Sequence, residues 1–220
     1  MVLNTILLFA DKTPEKSISV LELIFQAGVW MYPMFILSVI ALYIFIERLV
    51  VIRSAMRNPA SFMKAIKKKV MEGDIEGARV ICRRKKTPIA RMIEKGLSRV
   101  GSSLKNIETS IEYVGKIELY RLEKNLAMLA TIAGAAPMVG FLGTVVGMIS
   151  AFIRISQQST VSPQTLSEGI YTALLTTAGG LIVGILANVS YNYLMTRVQK
   201  VVHQMEYVSM DFMDLLQEPS

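Results

Sequence analysis

With 220 residues, 52% of them hydrophobic, and a formal net charge of +7, the chain is long enough for one or two globular domains. Its mean hydropathy of +0.45 and the bunching of its apolar residues argue against a soluble one. The single cysteine, Cys82, excludes an intramolecular disulfide and suits a reducing compartment.

Three stretches lack Asp, Glu, Lys, Arg and His, at 23–46, 126–153 and 169–196. Each exceeds the roughly 20 apolar residues that cross about 30 Å of hydrocarbon. An all-α membrane protein with three transmembrane helices in a lipid bilayer is therefore expected. Residues 1–22 form an N-terminal segment whose opening run, MVLNTILLFADK, lacks a basic start and a small-residue cleavage site. A signal peptide and an amphipathic segment on the outer leaflet both remain open. Span one, 23–47, carries Trp30 and Tyr32 at its outer end, where amphipathic rings favour the interface, and Glu47 with Arg48 as membrane-interface charges at its inner end.

The segment 48–125 follows. Residues 53–124 hold 18 Lys/Arg against 8 Asp/Glu, a net of +10, so the rest of the chain sums to −3. By the positive-inside rule, and with Arg53, Arg57, Arg121 and Lys124 close to the spans, this segment is cytoplasmic, the amino terminus outside and the carboxyl terminus inside. Topology accounts for the charge, so no nucleic acid is expected as a partner. Three short helices are predicted here. SFMKAIKKKVMEG has Phe62, Ile66 and Val70 on one face and ends at Gly73; IEGARVICRRK stops before Pro88; IARMIEKGLSRV stops at Gly101.

From Leu104 the apolar positions Ile107, Ile111, Val114, Ile117 (or Leu119), Leu122 and Leu126 run without an evident breaker into span two, 126–153. They predict one helix from 104 to 153, about 75 Å long. A short loop, 154–168, leads to span three, 169–196. In the tail, 197–220, Val198, Val201, Val202, Met205, Val208, Phe212 and Leu215 form an apolar stripe. The two extensions are expected to pack together and against copies of themselves, beside a small helical cytoplasmic domain.

Span two aligns Ala133, Pro137, Gly140, Thr144, Gly147 and Ala151 on one face of small or weakly polar groups, and span three aligns Ala173, Thr177, Gly180, Gly184 and Asn188. Each carries a G-x-x-x-G, Gly143/Gly147 and Gly180/Gly184, of the kind that lets backbones approach in lipid. Tight packing of the two spans is the simplest expectation. Pro137 lacks an N–H and crowds the carbonyl of Ala133, a helix kink that lipid tolerates where neighbours or water re-satisfy the carbonyl. For Thr144 and Thr177, a hydroxyl bonded back to its own helix and a pore-lining role both remain open. Neither span contains an ionisable residue. Ion translocation normally uses an intramembrane carboxylate or a similar relay, so if the chain takes part in ion flow, a partner must bring one. No catalytic constellation, metal-ligand spacing or phosphate loop is present, and the one histidine, His203, has a surface position as its default. No catalytic residue, metal or cofactor is expected.

The blocks GVWMYPMFILSVIALYIFIER, EGDIEGARVIC with the downstream Pro88, APMVGFLGTVVGMISAF and LLTTAGGLIVGILANVSYN resemble the ExbB/TolQ/MotA proton-channel family, most closely its ExbB branch, over residues 28–192. The resemblance implies a homopentamer in the bacterial inner membrane, with the segment 1–22 and the loop 154–168 periplasmic. The pentamer would enclose the single spans of an ExbD-type partner that carries the missing aspartate, and proton movement would drive a TonB-type protein in outer-membrane import. It also implies that Thr144 and Thr177, within the two specific blocks, are pore threonines. Thr172 stands where family members often carry a glutamate, with Glu168 one turn earlier, and Ile185-Leu186 replaces a frequent Ile-Pro. Three spans rather than four argue against the MotA branch. A TolQ-like subunit of the Tol-Pal system and a structural membrane scaffold without ion conduction are the alternatives.

Overall fold

The computed structural model describes Val29 and residues 31–56, 59–157 and 163–217, and among these every regular element is a helix. The expectations for segment 1–22, for the start of span one with Trp30, for Arg57, for the middle of the 154–168 loop and for the last three residues lie outside the described residues. The helices are α1 (Met31–Ala55), α2 (Pro59–Met71), α3 (Ile75–Arg84), α4 (Pro88–Leu97), α5 (Leu104–Glu123), α6 (Leu126–Ser156) and α7 (Pro163–Gln217). Three stretches, in α1, α6 and α7, are long and apolar enough to cross a membrane. The 55 residues of α7 extend about 82 Å, so span three and its tail are one helix that far outruns the hydrocarbon.

The chain divides into two compact units. Of the described residues, the first holds those up to Phe35 and from 137 to 182, and the second those from 36 to 136 and from 183 to 217. The core of the second unit follows from the sequence stripes. Phe62, Met63 and Ile66 bury one face of α2. Asp74 caps α3 by accepting the Gly77 amide at 2.8 Å, and its ion pair with Lys69 at 2.9 Å, together with that amide, holds its carboxyl below the usual carboxylate range. Thr87 caps α4, with Pro88 in its first turn. Most of α4 is buried, and its Gly96 is pressed so close that a Cβ there would meet the Phe212 ring at 2.6 Å and Ile111 at 2.8 Å. The tail stripe Val198, Val201, Met205, Val208, Phe212 and Leu215 is buried in the same core. The two extensions therefore pack together through α4. Cys82 is buried there too, and burial, with the charge of Glu94, pushes its thiol up to about 12, which leaves it a poor nucleophile.

In the α5 region one reading changes and one open alternative closes. The expected single helix from 104 to 153 is two helices, broken at Lys124 and Asn125, because Asn125 adopts a left-handed φ of 65°. Asparagine is one of the few residues that visits this region routinely, and its side chain donates to Glu47 Oε2 at 3.3 Å. On α5 itself the buried positions are Ile107, Ile111, Gly115, Glu118 and Leu122; Leu119 packs against the core while Ile117 is exposed. Asn125→Ala is expected to cost about 1 kcal/mol, because alanine keeps the Cβ but lacks both the polar side chain that eases asparagine into left-handed backbone and the bond to Glu47. Asn125→Gly should stay closer to wild type, as thermal unfolding of the detergent-solubilised protein will read.

Candidate functional site

In the first unit the small-residue faces of α6 and α7 meet in one antiparallel register. A Cβ on Gly140 would lie 3.1 Å from the Gly180 Cα, one on Gly147 3.1 Å from the Ala173 Cβ, and one on Gly169 2.5 Å from the Ala151 Cβ. Each advance along α6 is matched by an equal retreat along α7. Gly143 and Gly180 are buried, as is Gly184 in the second unit, and Pro137 is half-buried within an uninterrupted α6. Backbones approach this closely only where side chains are absent.

The same register sets Thr144 opposite Thr176, and three hydroxyls gather there. Thr144 Oγ1 donates to the Ala173 carbonyl at 2.7 Å, lies 3.3 Å from that of Gly140, and is hydrogen-bonded to Thr177 Oγ1. Thr176 reaches the Ala173 carbonyl at 2.7 Å and the Gly140 carbonyl at 3.2 Å, and Thr177 reaches the latter at 3.3 Å. Thr144 and Thr176 are themselves 3.5 Å apart. Each hydroxyl has one hydrogen and more than one acceptor in reach, so the cluster can redistribute its bonds without any side chain leaving. Thr176, 2% exposed, was hidden in the sequence by its neighbour Thr177, which fits the three-to-four spacing of the small-residue face just as well. Thr172 stands apart: its hydroxyl bonds back to the Glu168 and Gly169 carbonyls of its own helix.

Glu47 and Arg48, late in α1, belong to the second unit and are not isolated there. Arg48 is only 4% exposed; it pairs with Glu47 and donates to the Arg121 carbonyl at 3.1 Å. Beside it Glu118, 2% exposed, accepts from Arg121 at 2.6 Å and from Arg91. Nothing in the residue pattern marks this carboxylate, which sits amid charged neighbours on α5. On α7, Ala187 is buried and Asn188, expected on the small-residue face, is exposed with its side chain bonded to Asn192. Among the described residues no three of His, Cys, Asp and Glu converge as a metal site requires.

Comparison with known proteins adds a family. Residues 84–207 match the sequence pattern of the MotA/TolQ/ExbB proton channel family. A protein of Methanothermobacter thermautotrophicus named as an ExbB homolog is 28% identical over 206 residues, 91% of this chain and 72% of its own length. The biopolymer transport protein ExbB of Aquifex aeolicus is 34% identical over 108 residues, 49% of this chain and 70% of that protein. The Tol-Pal system protein TolQ of Haemophilus influenzae is 38% identical over 84 residues, 38% of this chain and 37% of that protein.

Proposed function

The chain belongs to the MotA/TolQ/ExbB proton channel family, and from that premise we propose that it is an ExbB-like subunit of a proton-driven motor in the bacterial inner membrane. In this reading it assembles as a homopentamer around an ExbD-type, single-span partner that bears a membrane carboxylate, and the complex works on a TonB-type protein. The amino terminus is periplasmic, and the basic segment 48–125 and the tail of α7 are cytoplasmic. α1 stands outside as lipid-facing support, while α6 and α7 form the inner wall.

The observation that carries the reading is the hydroxyl cluster of Thr144, Thr176 and Thr177, set in apolar stretches with no ionisable residue. An aspartate facing it from a partner could not be neutralised by this chain, only hydrogen-bonded or hydrated by it. That fits a carboxylate which must bind and release a proton rather than stay ion-paired. Thr172 adds a hydroxyl one turn nearer Glu168 on the same path. The TolQ-like alternative is supported by the Haemophilus relative and assigns the same residues the same work.

Thr144→Val and Thr177→Val remove the hydroxyls at nearly constant volume. Either is expected to reduce partner-dependent proton flux in proteoliposomes, and energised uptake in cells, to background while the complex still assembles. Normal flux and uptake in both variants would sink the assignment and favour a structural scaffold, in which the hydroxyls only fasten α6 to α7.

A further inference from the structure

Past Glu47 and Arg48 the sequence of α1 turns apolar again, LVVI at 49–52, before Arg53 and Ser54. Val39, Tyr43, Ile46, Val50 and Ser54, spaced four, three, four and four residues apart, share one helix face. All five are exposed, Val50 by 64%. The stripe leads from the charge-free stretch into a pocket of about 330 Å³ walled on the apolar side by Val50 and Val51 and on the polar side by Ser54, Lys86, Arg91 and Arg121.

The pocket's charge is unbalanced. Its one acid is Glu118, already engaged by both Arg91 and Arg121, and one carboxylate cannot neutralise two guanidiniums and an ammonium. Lys86 is exposed and forms no ion pair among the described residues. The Nε of Arg91 is buried without an acceptor, a donor whose desolvation goes unrepaid. The depth is also telling: Val50 lies four residues, about 6 Å, beyond Ile46, within the headgroup layer that extends roughly 5–7 Å outside the hydrocarbon.

We propose that this pocket binds an anionic phospholipid, its phosphate on Lys86, Arg91 and Arg121 and one acyl chain along Val50, Ile46, Tyr43 and Val39. A free anion would need only the cations; the apolar stripe that runs into them selects a lipid. The inference requires the chain to lie in a membrane, and it is independent of the hydroxyl pathway.

The test is native mass spectrometry of the full chain in its detergent-solubilised assembly, titrated in parallel with phosphatidylglycerol and phosphatidylcholine. Wild type is expected to retain phosphatidylglycerol in preference by at least about fivefold, the factor that a single cation near an anionic headgroup supplies. Lys86→Gln should lose about fivefold in that preference, and Glu118→Gln, which removes the pocket's only acid, should gain by a similar factor. Opposite signs in the two variants cannot come from misfolding, which would lower both, and the exposed Lys86 carries the test by itself. Equal retention of the two lipids by wild type, or an unchanged preference in Lys86→Gln, overturns the proposal. So does displacement of phosphatidylglycerol by excess inorganic phosphate, which would mark a simple anion site. Proton flux measured on Lys86→Gln should match wild type, so a failure here leaves the channel reading standing.

Discussion

Gly140→Ala is expected to separate α6 from α7 and to abolish proton flux, Gly147→Ala to do so weakly, and Gly134→Ala to be harmless. The grading follows from what a new methyl group meets. At Gly140 it would lie 2.8 Å from the Thr176 carbonyl oxygen, 3.0 Å from the Met34 methyl and 3.1 Å from the Gly180 Cα. Two of those three atoms are backbone and cannot rotate away, so the helices must part. Overpacking of this kind costs about 1–3 kcal/mol. It also draws the Gly140 carbonyl away from Thr176 and Thr177, which both reach it across the helix pair. At Gly147 the nearest atom is the Ala173 Cβ at 3.1 Å, a contact that a shift of a few tenths of an ångström relieves. Around Gly134 nothing lies within 4 Å, so alanine there gains up to about 1 kcal/mol of helix propensity. Thermal midpoints in detergent, measured beside flux in proteoliposomes, will rank the three variants. A Gly140→Ala protein as stable and as active as Gly134→Ala would refute the register described for α6 and α7.

The helical architecture was legible because two long-range signals reinforce each other. Uncharged stretches of span length mark α1, α6 and α7, and the 3.6-residue stripes of α2 and the α7 tail mark what they bury. Turn chemistry fixed most of the short boundaries: Gly73 and Gly101 take left-handed backbone, with φ of +74° and +96°, as their positions between helices suggested. Asn125 does the same job, yet LEKNLAM reads as continuous helix, and only the tertiary bond to Glu47, 78 residues away, tips the balance. Thr176 and Thr177 illustrate a different limit. Neighbours on a helix point about 100° apart, and both fit a three-to-four spacing with the glycines. The sequence favours one stripe, whereas a close helix pair with hydroxyls at its centre engages both. Ile117 against Leu119 is the same ambiguity on α5, resolved by which side of the helix faces the core.

Glu118 is the residue whose loss is expected to damage the second unit most. Its partners come from 27 residues before it, in Arg91, and from the next turn, in Arg121, so no local pattern announces it. A carboxylate 2% exposed persists only because both oxygens are engaged. Glu118→Ala leaves Arg91, whose Nε already lacks an acceptor, without its counterion, and opens a gap beneath α4. Removing one member of a buried pair costs about 3–5 kcal/mol. Because the side chains of Arg91 and Arg121 remain 38% and 60% exposed, water recovers part of that, and about 2–3 kcal/mol is expected. Glu118→Gln, which keeps an acceptor and the volume, should fall between. The loss should appear as faster hydrogen exchange across α4 and α5 and a lower thermal midpoint, with the Thr144 variants unaffected in both. If Glu118→Leu matches or exceeds wild-type stability while Glu118→Ala does not, the site needs the volume and not the charge, and the ion pairs contribute nothing net to the fold.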